Sequence, residues 1–518
     1  MNFNLTRRKK LFIFSMMAFG QFMALVDIQI VAASLNAIQA GLSAAPDEIS
    51  WVQTAYLMAE LVMIPLAGFL ARALSTRWLF TASAGLFTLA SALCGLAWDI
   101  DSMIAFRALQ GFVGGAMVPT VWATGFILFS GRDRALASSI LGVVTMLAPV
   151  SGPTIGGWIT DLIDWRWIFY INIVPGIAVT VLSAMLIRLD RAQPSLLRSM
   201  DWSHLAAMAL FLGCLDYVLE EGPRHNWFSD TGMAIAAWVA LVAFVLFLER
   251  SLRSHAPVVS LAPFRRPTFV LASTLALVTS AAIFAATYLV PVYLGRVRGY
   301  ASFDIGTTVC VTGLGMLVSA PLTMRLLRHY DPRLVIALGV LVFALSLWMF
   351  SWIGPEWGFR ELFWPHVLRG VAGMLCVVPA ANLALGDLED EAMHQASGMF
   401  NLLRNLGGAL GIALVNTWLQ DHSRLHRLRL DEALGLSGDG ARRMLGGLLQ
   451  QLQAHTTDTA QALLAAQSLM EQHLLRQSLV LAFDDVFRLL AWLLLATLLL
   501  VPWCRPSSHD NPNRTIEP

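Results

Sequence analysis

Gly142–Gly157 reads GVVTMLAPVSGPTIGG. It sits inside an apolar run from about Ala137 to Thr160, long enough to cross a bilayer core that needs ~20 helical residues. Pro149 and Pro153 each remove a backbone donor, while Gly152, Gly156 and Gly157 leave no side chain between this segment and its neighbour. The expectation is a kinked membrane helix that packs very closely along one side. A small-residue seam accounts for the glycines alone. The full spacing, Gly-x9-Gly-Pro-x-x-Gly-Gly from Gly142, is much rarer.

The rest of the chain has the same character. Of its 518 residues 57% are hydrophobic and 13% charged, against the ~25% charge of soluble domains, so the chain reads as an all-α polytopic membrane protein. A net charge of +1 leaves no basic surplus for phosphates, which argues against a nucleic-acid partner. Cys94, Cys214, Cys310, Cys376 and Cys504 fall in or beside apolar runs without metal or disulfide spacing. No Walker A, His-Glu-x-x-His or Gly-x-Ser-x-Gly pattern is present, so neither a resident metal nor an enzyme site is expected.

Spanning-length runs begin near residues 11, 50, 78, 102, 136 and 166, then near 201 and 231, then near 268, 303, 333, 362, 396 and 482, giving fourteen helices arranged six, two, six. The domains predicted are an N-terminal six-helix bundle over 1–188, an inserted helix pair over 189–267 and a C-terminal six-helix bundle over 268–504, followed by a disordered tail over 505–518. Arg7 to Lys10, Arg72, Arg77, Arg132, Arg134, Arg250 and Arg253 fall on one side if helices alternate, which places both termini in the cytoplasm; Arg296 and Arg298 are exceptions. The two sets of six repeat faintly: Pro65-Leu66 with Leu70 and Arg72 matches Pro321-Leu322 with Leu326 and Arg328, and Gln110-Gly111 matches Arg369-Gly370, each followed by Pro119 or Pro379. A polar-mixed segment over 420–481 interrupts the last two spans. It reads either as a helical hairpin folded over the external mouth or as a docking element for an accessory protein.

Ionisable residues deep in membrane helices cost at least ~2.5–3.5 kcal/mol on insertion scales, so each needs a reason. Asp27 lies inside the first helix, as a protonatable coupling group or a hydrogen-bonded structural one. Glu60 lies mid-span in the second, with Gln53 two turns and Tyr56 one turn before it on the same face, as if lining a cavity. Arg107 enters the fourth helix beside the Gly111/Gly115 seam, where it can hold a nearby carboxylate ionised or snorkel outward. Asn401 and Arg404, with Asn405 and Gly408, form a second polar face from the other half; there the arginine either binds an anionic substrate group or pairs with a carboxylate across the cavity. The proton-coupling candidates are thus Asp27, Glu60 and Arg107, and the substrate-binding candidates Gln53, Tyr56, Glu60, Asn401 and Arg404.

These motifs carry a family resemblance. The Gly142–Gly157 signature, ALVDIQIVAASL, FRALQGFVGGAMVP, GPTIGGWITDLIDWRWIFYINIVPG and LEEGPRHNWF together resemble the major facilitator superfamily, specifically its fourteen-helix drug:proton antiporters of the EmrB/QacA type, on the EmrB side. The resemblance implies the major facilitator fold and export of hydrophobic or amphipathic toxic compounds across the bacterial inner membrane. It implies a proton gradient as the energy source, with no cofactor. It also implies a periplasmic membrane-fusion adaptor and an outer-membrane channel as partners. Asp27 and Arg107 carry over as coupling residues, and Gly142, Pro149, Gly152, Pro153, Gly156 and Gly157 as the antiporter motif. One departure is plain: the family's loop after the second helix has Gly-x-x-x-Asp followed by Gly-Arg, whereas here Gly68 leads to Arg72, and Ser75 and Thr76 replace the later pair. Export of a single endogenous metabolite or siderophore, and a transporter-like sensor that moves nothing, are the alternatives. Each entering proton supplies about 2.3 kcal/mol per 100 mV, enough for a concentration ratio of order fifty, since ~1.4 kcal/mol is tenfold.

Overall fold

The computed structural model describes residues 6–45, 48–198, 200–253, 258–386, 388, 390–437, 445–450 and 459–503. The expected tail over 505–518, Cys504 and the side chain of Pro149 lie outside the described residues. Those described are helical, with no strand among them.

Among the described residues thirteen helices are long and apolar enough to cross a membrane: α1 (Arg7–Leu42), α2 (Trp51–Leu74), α3 (Thr76–Gly95), α4 (Ile100–Leu128), α6 (Trp167–Leu186), α7 (Trp202–Glu221), α8 (Thr231–Arg253), α9 (Pro267–Arg296), α10 (Phe303–His329), α11 (Pro332–Phe350), α12 (Phe359–Leu385), α13 (Ala392–Ala433) and α14 (Gln461–Trp503). Between α4 and α6 runs α5 (Gly131–Leu162), a 32-residue helix. At 1.5 Å per residue it is about 48 Å long, more than the ~30 Å hydrocarbon core, so its length suits the fourteenth span expected from sequence. It continues unbroken past Pro149 and Pro153, so the prolines do not end the helix.

Local chemistry sets the helix ends. Asp99 caps α4 by accepting from Ser102 N at 2.8 Å, completing a capping box. Asp201 does the same for α7 through His204 N at 3.0 Å. Between α2 and α3 the chain turns at Ser75, whose φ of 78° is left-handed. The first donors of α3 are taken by Asp190, from the segment after α6: Thr76 N reaches both of its carboxylate oxygens at 3.0 and 2.8 Å, and Thr76 Oγ1 reaches Oδ2 at 2.8 Å. The acidic group missing from the loop itself is thus supplied by Asp190, a distant residue.

In the first half α1 packs on α5, α2 on α4, and α3 on α6; in the second, α9 packs on α13, α10 on α12, and α11 on α14. The halves meet through α5 against α10 and α2 against α13, the two equivalent contacts of a duplicated unit. The inserted α7 and α8 pair with each other, and α7 leans on α2 and α13.

α5 carries close contacts on several faces. A Cβ on Gly156 would lie 2.8 Å from the Ile30 carbonyl oxygen of α1, and Gly152 is pressed equally closely onto Gln29. Another face meets the second half: a Cβ on Gly142 would lie 2.8 Å from Val378 Cγ2 of α12, and Gly306 of α10 lies against Thr154. Gly157 is buried as well. The expected seam therefore joins α5 to α1, while other faces of the same helix form part of the boundary between halves. Nearer the chain termini that boundary is held by Arg134 Nη1 donating to Gly386 O at 2.6 Å and Ser138 Oγ donating to Asn382 Oδ1 at 2.8 Å. Gly68 of α2 also lets His394 of α13 approach there.

At the opposite end, α13 does not stop at the membrane. Its helix runs unbroken from Asp390 to Ser437, 48 residues, and α14 is helical from Thr459. Arg427 donates to Glu471 at 2.9 Å, tying the two extensions side by side. Arg476 donates to Pro355 O at 2.7 Å and Glu356 at 3.0 Å, anchoring them to the loop before α12. The segment over 420–481 thus consists, where described, of continuations of α13 and α14 together with a helical piece over 445–450.

Candidate functional site

Two groups of buried polar side chains stand out. In the first, Arg107 of α4 donates Nη1 to Asp27 Oδ2 of α1 at 2.6 Å, with both side chains fully buried. The carboxylate is held from three directions. Gln110 Nε2 donates to Oδ1 at 3.1 Å and Asn172 Nδ2 donates to Oδ1 at 2.7 Å. Asn172 is fixed by Ser91 Oγ at 3.1 Å, which in turn donates to Phe169 O at 3.0 Å. The guanidinium also donates Nε to Val52 O at 3.2 Å and Nη1 to Gln110 Oε1 at 2.7 Å, and its Cζ lies 4.2 Å from the centroid of the Tyr56 ring.

Local structure explains this convergence. A Cβ on Gly115 would lie 2.7 Å from the Glu60 carbonyl oxygen, and Gly111 meets the Tyr56 backbone as closely, so α4 approaches α2 near contact distance and brings Arg107 over Tyr56. The α6 span is broken between Tyr170 and Ile173, and Asn172 occupies the break, where its side chain turns inward. Pro175 in the first turn of the following piece is compatible with that restart, because a first-turn N–H has no helical partner.

The second group lies where α2, α4, α7 and α13 meet. Glu60 of α2 is buried and feels the charges of both Arg404 and Arg107, yet makes no direct ion pair among the described residues. Arg404 is buried with Nε and Nη1 unpartnered, its Cζ 5.7 Å from the Trp122 ring centroid. Asn401 donates to Ser397 O at 2.9 Å, but its Oδ1 has no partner, and neither has the indole nitrogen of Trp122. Ser397 Oγ donates across the halves to Pro119 O at 2.8 Å. Asp216 of the inserted α7 is buried within electrostatic reach of Glu60, with Oδ2 unpartnered. Buried polar atoms nearly always find partners, and an unsatisfied one costs about 1–3 kcal/mol.

The predicted residues therefore divide between two sites. Asp27, Arg107 and Tyr56 form one, with Tyr56 beneath the guanidinium. Glu60, Asn401 and Arg404 form the other. Gln53 is half-buried near the outer end of α2, where Thr54 donates to Glu221 at 3.2 Å and Trp51 stacks on Tyr217. Gln110, Asn172, Asp216 and Trp122 were not singled out from sequence. Asn172 and Asp216 had a readable signal, a polar residue within an apolar run. Gln110 was masked by its position in a glycine seam, and Trp122 gave no signal among 17 tryptophans.

An all-helical membrane protein with two matching halves closed around unmatched buried charges has the architecture of a secondary transporter. The Major Facilitator Superfamily model matches residues 17–412. The Colistin resistance protein EmrB of Acinetobacter baumannii is 38% identical over 488 residues, covering 94% of this chain and 95% of its own length. The Multidrug export protein EmrB of Escherichia coli is 26% identical, covering 95% of this chain and 94% of its own. The Fatty acid resistance protein FarB of Neisseria gonorrhoeae is 28% identical, covering 79% and 81%. Among solved structures, the human organic anion transporter MFSD10 shares the fold with a TM-score of 0.59 at 12% identity, over 94% of this chain and 99% of its own. The chain belongs to the Major Facilitator Superfamily, among its EmrB-like members, and is a multi-pass membrane transporter.

Proposed function

We propose that this transporter exports hydrophobic or amphipathic toxic compounds across the bacterial inner membrane in exchange for protons, by alternating access between its two halves. The observation that carries this reading is the separation of two charged sites along α2. Asp27 and Arg107 are sealed within the first half, while Glu60 of α2, Arg404 of α13 and Asp216 of the inserted α7 are buried with no direct ion pair among the described residues. The substrate's polar or cationic part occupies the second site, where Glu60 and Asp216 attract it, and its apolar part lies along Trp122 and Phe400, whose ring centroids are 6.2 Å apart. A proton arriving at Asp27 neutralises its charge and leaves the Arg107 cation uncompensated one to two turns from Glu60 on the neighbouring helix. That cation then competes with the substrate for Glu60, and substrate is released. Loss of the proton restores the pair and readmits substrate.

The even number of spans puts both termini on one side, and the basic loops support that side as the cytoplasm. The extensions of α13 and α14 then reach into the periplasm, where a membrane-fusion adaptor leading to an outer-membrane channel is the partner implied by the EmrB relatives.

The test is substrate-induced pH change in proteoliposomes holding a proton gradient, comparing the parent with Asp27→Asn and Glu60→Gln. Coupled antiport requires that candidate compounds dissipate the gradient in the parent and that at least one variant, still folded, abolishes this. If both variants behave like the parent, the coupling assignment is wrong. A parent silent towards varied compounds points instead to a single-metabolite exporter or a sensor.

A further inference from the structure

We propose that His422, His426 and Asp485 form a binding site for a zinc-class divalent transition-metal ion at the base of the α13–α14 arm. His422 and His426 are four apart on one helix, so their rings project from the same face. Opposite them, Asp485 of α14 presents one carboxylate oxygen to both. Oδ2 lies 3.0 Å from His422 Nδ1 and 2.7 Å from His426 Nε2, and the three candidate donor atoms all lie within 4.8 Å of one another.

The dimensions suit a small ion. Zinc bonds of ~2.0–2.2 Å in tetrahedral geometry set donor atoms about 3.4 Å apart. Against that spacing the two carboxylate edges, 3.0 and 2.7 Å, must open by about 0.4 and 0.7 Å while the edge between the imidazole nitrogens, no longer than 4.8 Å, adjusts with them, a movement within reach of side-chain rotation. Two imidazoles and one carboxylate form a nitrogen-rich set that suits zinc and its neighbours, whereas calcium and magnesium demand oxygen ligands. Access is open: the side chains are 29%, 14% and 32% exposed, which leaves a fourth position for water. Neighbouring polar contacts brace the arm without touching the donors: Arg427 of α13 pairs with Glu471 of α14 at 2.9 Å, and Arg476 of α14 pairs at 3.0 Å with Glu356 in the loop before α12. A bound ion adds a bridge between α13 and α14 where they leave the bundle, and so couples the arm to the second half.

A clasp made only of hydrogen bonds, with Asp485 accepting from both imidazoles, uses the same geometry, and experiment separates the two. The full-length protein, purified in detergent with a histidine-free tag and stripped with chelator, is titrated with Zn²⁺ against a chromophoric competitor. The parent is expected to take one zinc per chain and to melt at a higher temperature with zinc than without. His422→Gln, His426→Gln and Asp485→Asn, each checked as monodisperse, are expected to bind at least tenfold more weakly and to lose the zinc-dependent rise. Calcium and magnesium are expected not to displace zinc. A parent that binds no zinc, or variants that bind it as the parent does, overturns the proposal. A fall in melting temperature that is the same with and without zinc, in a parent whose own melting zinc leaves unchanged, assigns the three residues to the hydrogen-bonded clasp.

Discussion

Replacing Asp27 by Asn removes the only carboxylate that Arg107 contacts among the described residues. The guanidinium keeps Val52 O at 3.2 Å and Gln110 Oε1 at 2.7 Å, but its charge is left in a fully buried site. Breaking one side of a buried pair costs ~3–5 kcal/mol, and the hydrogen bonds that survive place this case near the lower figure. Unfolding entropy of ~2.1 cal/mol/K per residue gives about 1 kcal/mol/K for 518 residues, so a 3 kcal/mol loss lowers the melting temperature by about 3 °C. Arg107→Gln strands the carboxylate in turn, with Gln110 and Asn172 still donating to it, and is expected to cost a similar amount. The double variant Asp27→Asn with Arg107→Gln buries no charge and is expected to melt within about 1 °C of the parent, since neutral replacements of buried pairs are often tolerated. The assay is thermal unfolding in detergent followed by intrinsic tryptophan fluorescence. A double variant whose loss equals the sum of the two single losses refutes a coupled pair.

Four further outcomes follow from named contacts. Gly156→Ala is expected to cost about 1–3 kcal/mol, because its Cβ would meet backbone of α1 rather than a side chain that can move; Gly446→Ala, with nothing within 4 Å, is the control expected to leave melting unchanged or raise it. Asp190→Ala is expected to remove about 1 kcal/mol by freeing the first donors of α3, read as faster hydrogen exchange at Thr76 and its neighbours. Arg404→Met is expected to weaken binding of anionic compounds and spare or strengthen that of cationic ones, measured as relative affinities by fluorescence displacement. At the arm's anchor, the hydrogen bond from Arg298 holds the Glu356 carboxyl below its usual range. The native state thus binds that proton less readily than the unfolded chain. The anchor's contribution is complete above the ordinary Glu value of ~4.3 and is lost as pH falls through the lower folded value. Hydrogen exchange in the loop around Glu356, before α12, is expected to stay constant from pH 7 to 5 after correction for intrinsic rates.

The all-helical, many-span character was legible because a bilayer imposes a length on every helix, and length survives in a one-dimensional pattern. The carboxylate–arginine pair was half legible. Asp27 and Arg107 each announced themselves as charges in apolar helices, but their meeting depends on Gly111 and Gly115 bringing α4 onto α2 and on Asn172 sitting in the break of α6. The separation of Tyr56 from Glu60 was not legible, since helical spacing puts both on one broad face of α2. Side-chain direction divides that face, with Tyr56 under Arg107 and Glu60 toward Arg404. Asp190 standing in for the missing loop carboxylate was hidden by 114 residues of separation. The histidines of the arm drew no notice because their partner, Asp485, is 63 and 59 residues away.

The duplicated halves are alike in packing and unlike in charge, and that difference bears on where a proton can act. In the first half the α4 arginine meets a carboxylate on α1. In the second, Arg369 of α12 donates Nη1 to a backbone carbonyl, Ala286 O of α9, at 2.9 Å and Nη2 to Thr312 Oγ1 at 2.9 Å, while His366 Nδ1 lies 2.9 Å from the same hydroxyl. A carbonyl cannot be neutralised by a proton, and an arginine remains charged across the physiological range. Among the described residues, the arginine of the α9–α12 contact therefore meets no carboxylate, whereas that of the α1–α4 contact does. Under the proposed antiport, repacking α1 against α4 and α5, with the α5 glycines permitting close movement of α1, is the first consequence of protonating Asp27. In that proposal the second half contributes the fixed cation Arg404 against which the change at Glu60 is read.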